Sequence, residues 1–272
     1  MAWPTIEIDS WQRFSSIADR LIFARPHDAP YVMRGQADEA WALSPSLLRL
    51  FPANVTAADA LAVERISLEE FRAQAHLHLS AAVLPNSFPQ PALPEWWALM
   101  QHHHAPTRLL DWTRSPYVAA YFAIEQEPEK AGAVFVVHSP TASRAFAEAF
   151  SGAGVNNDQL KDPQASQALL FWEPLKKSDR FVAQQGYFSF SVNVLGAHDR
   201  LIAEQCEEAK RKASQKMFFE KWIIPPNLKL EFLRKLRAMN IAAHSLFPGI
   251  DGLGRSLGEV AKLATVVRFD AV

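Results

Sequence analysis

Between Gln101 and Ala123 the sequence reads QHHHAPTRLLDWTRSPYVAAYFA, and its reactive side chains crowd the first half of that run. His102, His103 and His104 set three imidazoles in succession. An imidazole titrates near neutrality, so one held in hydrogen-bonding position serves as a general acid or base. As metal ligands they are a poorer set: consecutive residues project in different directions, and no acid or histidine recurs four residues on to form a helical chelating pair. Arg108 and Asp111 flank two leucines, and in apolar surroundings each must be paired or met by a ligand. They therefore belong either to a polar network that specifies the fold or to the wall of a cleft. Thr113 and Ser115 precede Pro116 and an apolar run, the signature of a helix start. Hydroxyls and free N–H groups there bind an anion or simply cap the helix.

Two distant stretches offer complementary chemistry. Arg34-Gly35-Gln36 follows a short β-rich run. A guanidinium at a strand end, beside a glycine that lets backbone come close, suits phosphate or carboxylate, although a structural arginine with a turn glycine has the same look. Gln184-Gln185-Gly186 places amides before another strand. The chain has no glycine-rich phosphate loop, nucleophile elbow, CxxC or HExxH. Glu204, Glu207 and Glu208 read as a solvated helix face, which leaves glycosidase chemistry without an obvious carboxylate pair.

The elements that must position these residues follow from periodicity and breakers. Trp11, Phe14, Ile17 and Leu21 are spaced for an amphipathic helix ended by Pro26 and Pro30. Tyr31 to Arg34 reads as a strand terminated by Gly35. Thr56 caps a long helix reaching about Ser80, and Pro85 to Pro94 forms an extended connector, the one plausible hinge. A short helix over 95–101, a strand over 108–111 and a helix from Ser115 or Pro116 carry the central run. Strands follow at 133–138, 169–172, 187–194 and 218–224, and helices at 201–213, 228–239 and 257–263. A weak helix over 145–150 leads into a Gly/Asn-rich loop over 151–162. Interleaved strands and helices without repeats predict one α+β domain, with the N-terminal helix over 1–27 as a separate layer before a domain over 28–272.

Composition narrows the class. With 272 residues, 49% hydrophobic and 21% charged, the chain has the make-up of an ordinary globular protein. A net charge of −1 argues against a histone-like nucleic-acid binder. The single cysteine, Cys206, excludes an internal disulfide and sits among charges in a helix, a passive setting. No signal peptide and no membrane span are read, so a cytoplasmic protein is expected.

Taken together, these pieces resemble the FRG domain family, named for an aromatic-Arg-Gly motif near its start. Here that motif is Tyr31-Val32-Met33-Arg34-Gly35-Gln36, with Met33 in place of the usual aromatic before the arginine. The longest match runs from Gln101-His102 through Pro106-Thr107-Arg108-Leu109-Leu110-Asp111-Trp112-Thr113 to Pro116 and Ala119-Ala120-Tyr121-Phe122-Ala123. His104 stands near a position where the family often has glycine. Glu64 and Phe71-Arg72 resemble its intervening helix, Arg180, Gln184, Gly186 and Phe188 its later motif, and Trp222 to Pro225 and Leu246 to Asp251 its ending.

A second resemblance is to ADP-ribosyltransferases of the arginine class, which carry an aromatic-Arg-Gly strand, a Ser/Thr-rich strand before a helix, and then an acidic or amide-acid motif. It implies a mostly antiparallel split sheet flanked by helices and an NAD-consuming enzyme acting on a macromolecular target, a protein or a nucleic acid, as in a toxin or phage-defence effector. By that resemblance Arg34 holds the phosphates of NAD, with Gly35 and Ser115 also in the cofactor-binding set, and the enzyme either transfers ADP-ribose or hydrolyses NAD. Gln36, Arg108 and Thr113 shape the cleft, His102 or Asp111 assists proton transfer, and Gln184 positions the substrate. The family's glutamate is replaced here by Gln184 or Gln185, and an amide cannot act as a base. Two other classes stay open: a non-catalytic module that binds a nucleotide, nucleic acid or protein, and a metal-dependent hydrolase or nuclease built on the histidine run.

Overall fold

The structure is a computed structural model whose described residues are 3–23, 31–85, 93–138, 157–212 and 219–269. Strands β1 (Thr5–Glu7), β2 (Tyr31–Gln36), β3 (Leu110–Thr113), β4 (Gly132–His138), β5 (Leu169–Trp172), β6 (Gly186–Ser191) and β7 (Phe219–Ile224) form one open sheet in the order β1-β7-β4-β2-β3-β6-β5. Every neighbouring pair is antiparallel except β1 with β7. The expected α+β class and mostly antiparallel sheet hold. The sheet is continuous rather than split, but one joint is narrow: β4 pairs with β2 along six residues, whereas β2 meets β3 only at Met33 and Thr113.

Nine α-helices lie among the described residues: α1 (Trp11–Phe23), α2 (Ala57–His78), α3 (Leu93–His102), α4 (Pro116–Ile124), α5 (Asp179–Ala183), α6 (His198–Lys212), α7 (Lys229–Ala238), α8 (Ala243–Leu246) and α9 (Ile250–Phe269). Their starts are chemically ordinary. The Thr56 hydroxyl accepts from Asp59 N at 3.1 Å to cap α2, and the Ser115 hydroxyl accepts from Val118 N at 3.3 Å to cap α4, with Pro116 in the first turn.

The alanine-rich α4 lies flush on β2 and β4 because glycines remove the obstacle. A Cβ on Gly35 would sit 1.9 Å from Ala119 O, and one on Gly132 would sit 2.0 Å from Ala123 O. Gly35 therefore serves helix–sheet packing inside β2 and does not terminate the strand, which runs on to Gln36. Phe14, Ile17 and Ala18 of α1 share the core that buries α4, Trp222 and Phe232, and β1 adds an edge strand to the same sheet. The buried Lys229 ammonium donates to the carbonyls of Ala37 (2.9 Å), just after β2, and of Gln126 (3.0 Å) and Glu127 (2.7 Å), in the turn that follows α4, tying the two turns together.

Several boundaries differ from the sequence reading. The strand expected over 108–111 lies at 110–113, which puts Arg108 before it. The helix expected over 257–263 spans 250–269, its length masked in the sequence by Gly252, Gly254 and Gly258. The three-residue β1, the five-residue α5 and the four-residue α8 were too short to leave a periodic signal. The helix expected over 145–150, much of the loop over 151–162 and most of the proline-rich connector lie outside the described residues.

Candidate functional site

A cleft of about 930 Å³ opens where β2 and β3 diverge, bounded by α3, α5 and the turns around them. Its lining brings together Arg34, His102, Asp111 and Gln184, four residues from four separate segments. The narrow joint explains the geometry. Past the single Met33–Thr113 pair the two strands separate, and Arg34 occupies the gap, its Nη1 donating to Asp111 O at 2.8 Å. The same Nη1 lies 4.0 Å from the Asp111 carboxylate, whose side chain is 63% exposed. Burial pulls the Arg34 guanidinium below the usual arginine value, Asp111 opposes that shift, and Arg49 adds to it. Arg34 Nε is buried without a hydrogen-bond partner, an orphaned donor on a cleft-wall guanidinium.

The opposite wall comes from the end of α3 and from α5. His102 ends α3, and a tight turn follows in which His104 has φ 65°. That left-handed backbone is what glycine adopts without cost, and a histidine there carries strain. Burial lowers the His102 pKa, with His103, Arg180 and His104 adding to the shift and Asp179 opposing it, so the imidazole is held neutral and ready to accept a proton. Gln184 caps α5. Its carbonyl accepts from the Thr113 hydroxyl at 2.7 Å, and its amide donates to Leu246 O at 3.0 Å. Arg180, one turn back, stacks over Phe247 at 4.8 Å. Arg34, Arg49, Lys176, Lys177 and Arg180 outnumber Glu95, Asp111 and Asp179 along the lining, so a chain of net charge −1 carries a cationic cleft.

The other residues expected to bind a cofactor stand elsewhere. Gly35 packs under α4, and Gln36 is buried, its amide donating to Ala42 O at 3.3 Å. Thr113 and Ser115 are buried, spending their hydroxyls on Gln184 O and on the α4 cap. Arg108 departs furthest from expectation. It is 1% exposed, with Nε donating to Glu64 Oε1 at 2.7 Å and Nη2 to Glu64 Oε2. It also donates to Val192 O at 2.9 Å and Leu160 O at 3.1 Å, and its guanidinium lies 4.6 Å over the Trp97 ring. This is a fold-specifying polar network, one of the two alternatives that the sequence left open. Cys206 is buried in α6 against the sheet.

One residue near the site gave no signal in the sequence. His198 is fully buried at the start of α6. Trp112 Nε1 donates to Ser189 Oγ at 2.7 Å, and Ser189 Oγ lies 3.0 Å from His198 Nδ1. Burial, reinforced by the positive charge of Arg34, holds the His198 pKa down at about 3 against an ordinary 6.5. The unfolded chain takes up a proton at a pH where the folded one does not. His198 therefore contributes stability that is complete above pH 6.5 and is lost as pH falls towards 3. At pH 5 the loss is about 2 kcal/mol. In urea unfolding at pH 7 and pH 5, His198→Gln is expected to lose less stability than the wild type by about that amount. Equal losses would assign the acid sensitivity to other groups.

Among the described residues no three His, Cys, Asp or Glu side chains gather into a set that could hold a metal ion, and no helix is long and apolar enough to cross a membrane. The fold and cleft define an α+β protein with a ligand-sized, cationic cleft at a sheet joint. Residues 29–132 match the family model of the FRG domain, and over that stretch the chain carries this domain. The match takes in Arg34, Glu64, His102, Arg108 and Asp111, whereas Gln184 lies beyond it. No curated protein and no solved structure matches the chain.

Proposed function

We propose that the cleft binds NAD and that the protein transfers ADP-ribose from it to a macromolecular acceptor. The observation that carries this reading is the convergence of Arg34, His102, Asp111 and Gln184 on one cavity of about 930 Å³, a volume suited to a dinucleotide. The orphaned Nε–H of Arg34 and the surplus of cations suit a diphosphate. Asp111 is an exposed carboxylate 4.0 Å from the Arg34 guanidinium and takes the place of the missing glutamate.

In this reaction the bond between the ribose C1′ and the nicotinamide nitrogen breaks, and its electron pair leaves with neutral nicotinamide. The Asp111 carboxylate stabilises the positive charge left on the ribose. The acceptor's lone pair forms the new bond to C1′, and its proton passes to neutral His102. Positioning and a nearby negative charge supply most of the rate in such a dissociative transfer. The test is incubation with NAD labelled in the adenylate half, alone and with cell lysate. Nicotinamide release with label on a macromolecule is expected. Absence of both binding and turnover would sink the reading.

One observation favours a second reading, a nucleotide-binding module without turnover. The Gln184 amide donates one N–H to Leu246 O at 3.0 Å, and as an amide it cannot serve as the base that the position should supply. NAD binding without nicotinamide release would decide for it.

A further inference from the structure

A second cavity, of about 450 Å³, lies between α2 and α3 and shares the rim residues Leu79, His103 and Ala105 with the cleft. One face of α2 builds it. Ser67, Phe71, Gln74 and His78 recur at helical spacing along that face, and Met100 closes the opposite side. Its chemistry differs from that of the cleft: no arginine or lysine lines it, Glu70 is its one carboxylate, and Asp111 does not reach it.

We propose that this annex takes the purine ring of the ligand whose diphosphate lies in the cleft. The inference rests on the NAD reading and follows from dividing the ligand. The nicotinamide end must stay by Asp111, where the bond breaks, so the adenine is the ring left to cross the shared rim. A flat, uncharged heterocycle fits apolar walls with a few polar groups at the edge, and Phe71 offers a ring for stacking. Gln74 offers a carboxamide of the kind that pairs with adenine's amino group and ring nitrogen. One Nε2 hydrogen is given to Glu70, and Oε1 is an acceptor suited to the purine's amino group.

The test uses adenosine, which has no phosphate, and inorganic pyrophosphate, titrated separately into the wild type, Gln74→Trp and Ser67→Trp. Both substitutions fill the annex from one helix face, and circular dichroism confirms that each variant is folded. Adenosine affinity is expected to fall about tenfold or more in the variants, while pyrophosphate affinity is unchanged. Adenosine binding that is absent at millimolar concentration, or that is indifferent to both substitutions, would overturn the proposal. That result would leave pyrophosphate binding and NAD turnover untouched. Failure of the NAD reading instead removes turnover while the adenosine result stands.

Discussion

Replacing Asp111 by asparagine is expected to slow nicotinamide release from NAD by about 10²- to 10³-fold while leaving NAD binding within a few-fold of the wild type. The two side chains have nearly the same shape, and Asp111 is 63% exposed, so the substitution carries little folding cost. The backbone carbonyl of Asp111, which accepts the 2.8 Å hydrogen bond from Arg34, is unchanged by it. Only the negative charge facing the ribose is lost. That charge acts in the transition state rather than in the ground state, so kcat falls by about 10²- to 10³-fold with KM little changed. Single-turnover release of nicotinamide, with NAD affinity measured calorimetrically beside it, gives the split. A variant that turns over at the wild-type rate removes Asp111 from the chemistry and returns the weight to the binding-module reading.

The second large effect concerns stability. Arg108→Met is expected to destabilise the protein by about 3–5 kcal/mol, because it leaves Glu64 as an unpaired buried carboxylate. Four further groups lose a partner with it: the carbonyls of Val192 and Leu160, the weaker contact with Ser191 O at 3.4 Å, and the face of Trp97. Denaturant unfolding reads the loss directly. Combining Arg108→Met with Glu64→Met removes both charges and should recover a substantial part of it, since the isolated charge costs more than the absent pair. A double variant as unstable as the sum of the single ones would show that the pair acts through packing alone. Because Arg108 lies outside the cleft, NAD affinity of the folded Arg108→Met protein should be close to that of the wild type.

These two residues also mark what the sequence could and could not convey. Asp111 and Arg108 stand three apart in one dense polar run, and both read as possible cleft residues. Local pattern does not distinguish them, because the difference is made by Glu64, 44 positions earlier on α2, which claims Arg108 and leaves Asp111 open. The assumption that 108–111 forms a strand compounded this, since the strand starts only at Leu110. Features set by local chemistry were legible: the Thr56 and Ser115 caps, the breakers around the central helices and the buried run of β4. The turn at His104 was legible in the resemblance, which put it near a glycine position, and its φ of 65° is of the kind glycine adopts. His198 was not, because a histidine at a helix start carries no mark of the tryptophan and serine that surround it in the fold.

Met33 and Thr113 are the only registered pair joining β2 to β3, and a side chain closes the gap beyond them. Mechanically, the sheet has a waist, and Arg34 is its fastener. An anion that engages the same guanidinium adds its free energy to the intact waist, so occupancy and breathing of the sheet form one coupled equilibrium. Tight binding and a quiet sheet are then two readings of one bond set. Amide exchange at Ser189, on the far side of the waist and outside the cleft lining, would report a ligand that does not touch it.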